Sequence, residues 1–100
     1  MCGVAGIIDY RGKTNTVTAV GTMLRSFSHR GPDESGVYQS PTATIGNVRL
    51  SIIDLQTGQQ PLSDISGRYW IVFNGEIFNY IELRQELEKK GLRLKTQSDT

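Results

Sequence analysis

Two periodicities share this chain. Cys2 to Asp9 (CGVAGIID) is a short apolar run closed by Asp9 and Gly12, the pattern of a buried strand starting at the terminus itself. Thr14 to Thr18 is polar and turn-like. Val17, Val20, Leu24 and Phe27 then recur at spacings of three, four and three, one face of a helix with Thr16 as its N-cap. Gly21 weakens this helix by about 1 kcal/mol relative to Ala. Gly31-Pro32 ends it, because proline pushes the preceding residue out of helical geometry.

Period-two and continuous apolar patterns follow. Gly36 to Gln39 and Ala43 to Ile45 are predicted as short strands around a Ser40-Pro41 turn. Asn47 to Leu55 (NVRLSIIDL) is predicted as a longer strand covered on both faces. Thr57 to Pro61 reads as a loop and Ser63 to Gly67 as a polar turn. Arg68 to Phe73 (RYWIVF), aromatic and β-branched without a breaker, is the strongest strand signal. Asn79 to Lys90 is the strongest helix. Asn79 and Glu82 are spaced as a capping box, Tyr80, Leu83 and Leu87 share a face, and Glu86 and Lys90 can pair at i,i+4. Lys89 and Lys90 suit the negative end, and Gly91 supplies the stop. Leu92 to Thr96 begins another predicted strand.

Composition narrows the function classes. The chain has 100 residues, enough for about one small domain or part of a larger one. Lys and Arg number 11 against 10 Asp and Glu, a net charge of +1. That lacks the basic excess of a nucleic-acid-binding module. No apolar run approaches the roughly 18–20 residues of a membrane span, and no basic segment followed by an apolar stretch marks a secretory signal. A single cysteine can neither form an internal disulfide nor build a Cys-rich zinc site, which points to a reducing, cytoplasmic setting. His29 has no nearby metal-ligand partners, so no metal site is expected.

Five residues carry candidate chemistry. Cys2 is the only thiol and directly follows Met1. A small second residue permits removal of Met1, leaving a thiol and a free α-amine on one residue. Their ordinary pKa values, about 8.5 and about 7.7–8.0, let both exchange protons near neutrality. This is the logic of an N-terminal nucleophile; the alternative is a small buried hydrophobe. Asn74-Gly75 reads either as a hairpin turn or as an oxyanion hole made by the carboxamide and the backbone N–H. Arg49, near the start of an apolar strand, needs an acidic partner, either a substrate carboxylate or a structural acid. Asp99 can pair with an ammonium group or be solvated. His29, in HRGPD, marks a helix-to-loop transition and is assigned no catalytic task.

Together, MCGVAG, HRGPD, RLSIIDL with GQQP, NGEIFNY and the closing SDT resemble the N-terminal glutamine amidotransferase domain of asparagine synthetases, the class II or N-terminal-nucleophile type. All five blocks occur in the family's order across essentially the whole chain, with Phe78 where the family often has Tyr. They look more like asparagine synthetase than the glucosamine-phosphate or phosphoribosylamine amidotransferases. The resemblance implies an α+β fold, a partial four-layer αββα sandwich of antiparallel sheets of the Ntn-hydrolase type. Residues 1–100 would be the N-terminal part of that domain, incomplete and without the synthetase domain.

It also implies roles. Cys2 would be the nucleophile with its own amine as base, and Asn74 and Gly75 the oxyanion hole. Arg49 would hold the α-carboxylate of glutamine and Asp99 its α-amine. Leu50, Ser51, Ile52, Ile53 and Glu76 would line the pocket. ATP and Mg2+ would serve only the absent synthetase domain. Expected partners are glutamine and that domain, with neither nucleic acid nor membrane, and homodimerisation of the full-length protein is compatible with this set. Three competing readings are a non-catalytic scaffold of the same fold, an amidotransferase feeding another amide-forming synthetase, and a plain α+β binding module.

Overall fold

The computed structural model describes residues 1–51 and 57–100. Three antiparallel strands form the main sheet: β1 (Gly3–Ile8), β2 (Glu34–Gln39) and β3 (Ala43–Arg49), in the order β1-β3-β2. The register pairs Gly3 with Val48 on one side of β3 and Glu34 with Arg49 on the other. Helix α1 (Thr16–Ser26) lies on one face. Its Val20 and Leu24 meet Val48 in a buried cluster, with Ala5, Ile7 and Phe27 packed around it.

Gly46 explains why two predicted strands are one. The apolar patterns at Ala43 to Ile45 and from Asn47 join through Gly46, which adds no side chain of its own. A Cβ there would sit 2.9 Å from Leu24 Cδ1 and 3.0 Å from both Val20 Cγ1 and the Gly36 carbonyl oxygen. Glycine thus lets α1 rest on the sheet rather than interrupting it. The predicted continuation to Leu55 is not seen at Leu50 and Ser51, and residues 52–55 of that prediction lie outside the described residues.

The α1 start also differs from expectation. Asn15, not Thr16, is the cap: its carboxamide oxygen accepts from the Thr18 N–H at 3.2 Å. Thr16 turns inward instead, and its hydroxyl meets that of Thr44 at 2.6 Å. With Thr16 buried, Val17 is rotated outward and left 39% exposed.

On the other face, a short hairpin of β4 (Leu62–Ser63) and β5 (Trp70–Ile71) meets β2. The Tyr38 and Trp70 rings stack with centroids 3.9 Å apart. Gly36 lies against the cis Gln60–Pro61 peptide, where a Cβ would come within 2.2 Å of the Gln60 carbonyl oxygen. The predicted strand Arg68 to Phe73 keeps only two ladder residues, because its partner is equally short. Within the predicted Ser63 to Gly67 turn, Asp64 organises the chain. Its carboxylate accepts from the N–H groups of Ser66, Arg68 and Tyr69 and from the Ser66 hydroxyl.

Helix α2 (Tyr80–Lys89) follows. Asn79 precedes it but makes no side-chain cap, since its backbone (φ −99°, ψ 29°) is not in the extended geometry of a capping residue. The C-terminus is as expected. Gly91 takes φ +86°, and the Leu92 and Gly91 N–H groups bond the Leu87 and Glu88 carbonyls, a Schellman closure. Glu86 and Lys90 pair at 3.4 Å. Leu83 and Leu87 share a face as predicted, yet that face borders an open apolar groove of about 990 Å³ opposite the hairpin. Leu92 to Thr96 forms no strand, having no ladder partner among the described residues. The architecture is α+β with two antiparallel sheets.

A short 3-10 turn (Ser28–Arg30) then delivers Gly31 onto β3. A Cβ on Gly31 would fall 2.3 Å from the Arg49 backbone nitrogen and 2.4 Å from the Val48 carbonyl carbon. Both are backbone atoms, so no rotamer change can relieve the clash. Gly31→Ala is therefore expected to cost about 1–3 kcal/mol or more, by analogy with overpacked cores. Chemical denaturation of the two proteins measures this, and an unchanged midpoint would contradict the close approach.

The Ser66 hydroxyl, followed by the N–H groups of Tyr69, Ser66 and Arg68, holds the Asp64 carboxyl below its ordinary value of 3.8. A depressed folded pKa contributes stability above the unfolded pKa, and that contribution is lost as pH falls through the folded pKa. Trp70, the only tryptophan, lies in this hairpin and donates its indole N–H to the Gly67 carbonyl. Its fluorescence should change as pH falls below about 4, and Asp64→Asn should abolish that change.

Candidate active site

The site begins where β1 and β3 end together. Because Gly3 pairs with Val48 at the end of the ladder, Cys2 lies just past it, opposite Arg49, and its sulfur reaches on to Leu50. The half-buried Cys2 sulfur lies 3.4 Å from the Leu50 N–H nitrogen, which donates to it, and 3.8 Å from the Leu50 carbonyl oxygen. Gly3 itself sits under the Phe27 ring, where a Cβ would come within 2.6 Å. Arg30 Nε donates to the Cys2 carbonyl at 3.2 Å. The thiol of the chain's sole cysteine is thus held by backbone, with its own peptide tied down from the α1 side.

Residues 30–34 form a collar around residues 48–51. Gly31 lies on the Val48–Arg49 peptide, and Pro32 forms a parallel bridge to Arg49. The Asp33 N–H donates to the Arg49 carbonyl at 3.1 Å, and the Asp33 carboxylate accepts from the Ser51 N–H at 2.8 Å. Glu34 Oε2 pairs with Arg49 Nη1 at 3.0 Å. The Arg49 side chain is only 6% exposed, so an acidic partner is what its burial requires. Among the described residues, the buried oxygens Asn47 Oδ1 and Ser51 Oγ have no hydrogen-bond partner. Asn47 precedes Arg49 by two positions on the same face of β3.

A second group comes from the other end of the chain. Asn74, Gly75 and Glu76 are exposed on the connection between β5 and α2, so Asn74-Gly75 is a strand-to-helix loop and not a hairpin turn. The hairpin is closed instead around Asp64. Gly75 lies beneath the Phe73 ring, where a Cβ would meet Cζ at 2.7 Å. Asp99 is half-buried rather than fully solvated. Its Oδ2 accepts from the Ile77 N–H at 2.8 Å, tying the C-terminal segment to the residue after Glu76.

Gln60 connects the two groups. Its backbone lies on Gly36 of β2, two positions from Glu34. Its Oε1 accepts from the Phe73 N–H at 2.7 Å, next to Asn74, and its Nε2 donates to the Thr100 hydroxyl at 3.3 Å, next to Asp99.

Of the residues singled out in the sequence, Cys2, Arg49, Leu50 and Ser51 are thus gathered at one sheet end. Asn74, Gly75, Glu76 and Asp99 share one loop region. Ile52 and Ile53 lie outside the described residues. Gly31, Asp33, Glu34, Arg30 and Gln60 were not assigned site roles from sequence. The available signal was HRGPD and GQQP, whose Gly-Pro and Gln-Pro pairs mark sharp backbone turns without revealing what those turns touch. Among the described residues, no group of three or more His, Cys, Asp or Glu side chains could hold a metal ion. No helix there is long and apolar enough to cross a membrane.

Comparison with known proteins places this chain in a family. The family model described as a glutamine amidotransferase domain matches residues 1–100. Glutamine-hydrolyzing asparagine synthetase 1 of Bacillus subtilis is 46% identical over 103 residues, covering 100% of this chain and 16% of that protein. Asparagine synthetase B of Escherichia coli is 40% identical over 89 residues, covering 86% of this chain and 16% of its own length. A putative asparagine synthetase of Methanocaldococcus jannaschii is 35% identical over 123 residues, covering 100% and 22%. The chain therefore spans about a fifth or less of the length of several relatives it matches. Its motifs, its α+β fold and its full-length match together make this chain a member of the glutamine amidotransferase domain family.

Proposed function

We propose that this chain supplies ammonia by hydrolysing the side-chain amide of glutamine, with Cys2 as nucleophile. The observation that carries the reading is the sole thiol, one residue from the terminus, held half-buried against the Leu50 backbone beside the buried Arg49 cation. Removal of Met1, itself 73% exposed, frees the Cys2 amine. That amine, directly or through a water, takes the thiol proton, and the sulfur attacks the carboxamide carbon. The C–S bond forms as the C=O pair moves onto oxygen. The Asn74 carboxamide and the Gly75 N–H stabilise this oxyanion. The amine returns its proton to nitrogen, the C–N bond breaks, and ammonia leaves a γ-glutamyl thioester. Water then cleaves the thioester to glutamate and regenerates the thiol.

In this reading Arg49 takes the substrate α-carboxylate and Asp99 its α-amine. The remaining named positions, Leu50, Ser51, Ile52, Ile53 and Glu76, line the pocket. The relatives are glutamine-hydrolyzing asparagine synthetases, which supports aspartate as the nitrogen acceptor, amidated by a further synthetase domain of the whole polypeptide; the single cysteine fits a cytoplasmic setting. ATP and Mg2+ would serve that further domain, and glutamine hydrolysis itself needs neither.

Two substitutions in the full natural polypeptide and one labelling experiment test the reading. Cys2→Ala should abolish glutamine-dependent product formation while ammonia-dependent formation survives; loss of both would contradict the division of labour. Asn74→Ala should lower glutaminase turnover about 100- to 1000-fold, the usual effect of deleting one oxyanion donor. A fall of less than about tenfold would remove Asn74 from that role. Labelling by a glutamine-mimicking electrophile, read by mass spectrometry, locates the nucleophile. A processed, folded sample without an adduct on Cys2 would favour a non-catalytic scaffold.

A further inference from the structure

We propose that Glu34 is a positioning residue for substrate recognition: by pinning Nη1 of Arg49, it presents the guanidinium to the α-carboxylate of the amide substrate. This rests on the reading above, in which Arg49 receives that carboxylate. Glu34 and Arg49 are directly paired across β2 and β3 and joined at 3.0 Å. The pair sits one residue from Leu50, whose backbone brackets the Cys2 sulfur.

The geometry is imposed from both strands. Arg49 is held through its backbone by Gly31, Pro32 and Asp33, so the base of the side chain cannot shift. The guanidinium sits at the end of a long side chain, and a carboxylate fixed on one Nη restrains its roll and with it the direction of the donor fork. An arginine oriented before substrate arrives loses less rotational freedom on binding.

Charge acts in the opposite sense to orientation. The Glu34 carboxylate neutralises Arg49 and repels an incoming carboxylate. If charge dominated, removing Glu34 would improve binding. If orientation dominates, removal weakens it. The near-complete burial of Arg49 and the direct cross-strand pairing favour orientation, because the ladder fixes the Glu34 oxygen at the point where it holds Nη1.

Steady-state glutaminase kinetics of the full natural polypeptide separate these effects, using glutamine and an analogue whose α-carboxylate is a neutral amide. Glu34→Ala should raise KM for glutamine about tenfold with kcat changed less than about threefold. Glu34→Gln, which keeps an acceptor oxygen and removes the charge, should leave KM within about threefold. The neutral analogue should show no KM penalty in either variant, whereas a general loss of structure would affect both substrates alike. Should Glu34→Ala fail to fold, Glu34→Asp withdraws the oxygen by one methylene and should raise KM for glutamine alone.

An unchanged or lowered glutamine KM in Glu34→Ala, or in Glu34→Asp as its substitute, overturns the proposal, as does an equal penalty on both substrates. Arg49→Ala distinguishes the two levels. If it raises the glutamine KM while the Glu34 variants do not, only the positioning role of Glu34 fails. If it leaves KM unchanged, the assignment of Arg49 fails and the proposal with it.

Discussion

The close approach of Gly31 to the Val48–Arg49 peptide is the contact on which the rest of the site depends. Only a residue without a Cβ can lie there, because the nearest atoms are backbone and cannot yield. That approach brings Pro32 into bridge contact and places Asp33 and Glu34 along β3. From there one short segment reaches the Arg49 carbonyl, the Ser51 N–H and the Arg49 guanidinium. Leu50 lies inside this collar, and its backbone is what the Cys2 sulfur touches. The position of the thiol is therefore set by main-chain geometry more than by packing of its own side chain.

The Arg49–Glu34 pair is better understood as a device for placement than for stability. Replacing both partners of a buried pair by apolar groups is often neutral, whereas removing one costs about 3–5 kcal/mol when burial is complete. Here the Glu34 side chain retains 23% exposure, which reduces that penalty. What survives the discount is direction. The pair joins neighbouring strands at the end where the thiol lies. Gln60 does the corresponding work between layers. Its main chain is seated on Gly36, while its carboxamide holds the residues adjoining Asn74 and Asp99. Two glycines on adjoining segments, Gly31 and Gly36, thus allow both ties to form.

Much of the local structure was legible in the residues. The apolar run after Cys2 is a strand, the three-and-four spacing of Val20, Leu24 and Phe27 marks the packed side of α1, and Gly91 closes α2. These succeed because they depend on neighbours within a turn or on simple periodicity. Thr16 failed as a cap because a hydroxyl 28 positions away competed for it. Gly46 did not divide a strand because a helix came to rest on it. Leu92 to Thr96 has strand character but no neighbour among the described residues with which to form a ladder. The Asn-Gly pair by itself suits a hairpin turn or an oxyanion hole, and the hairpin closes instead around Asp64.

By itself the chain's sequence determined which groups were available for chemistry: one thiol beside the terminus, one arginine entering an apolar run, an Asn-Gly pair after the strongest strand. It also determined the family, through five motifs in order. The tertiary structure alone decided which of these groups meet. It set Cys2 against Leu50, paired Arg49 with Glu34 and bound Asp99 to Ile77. The reason is physical. Composition and spacing act over one turn or one pleat, whereas each of these contacts spans 15 to 48 positions and exists only once the strands have chosen their register.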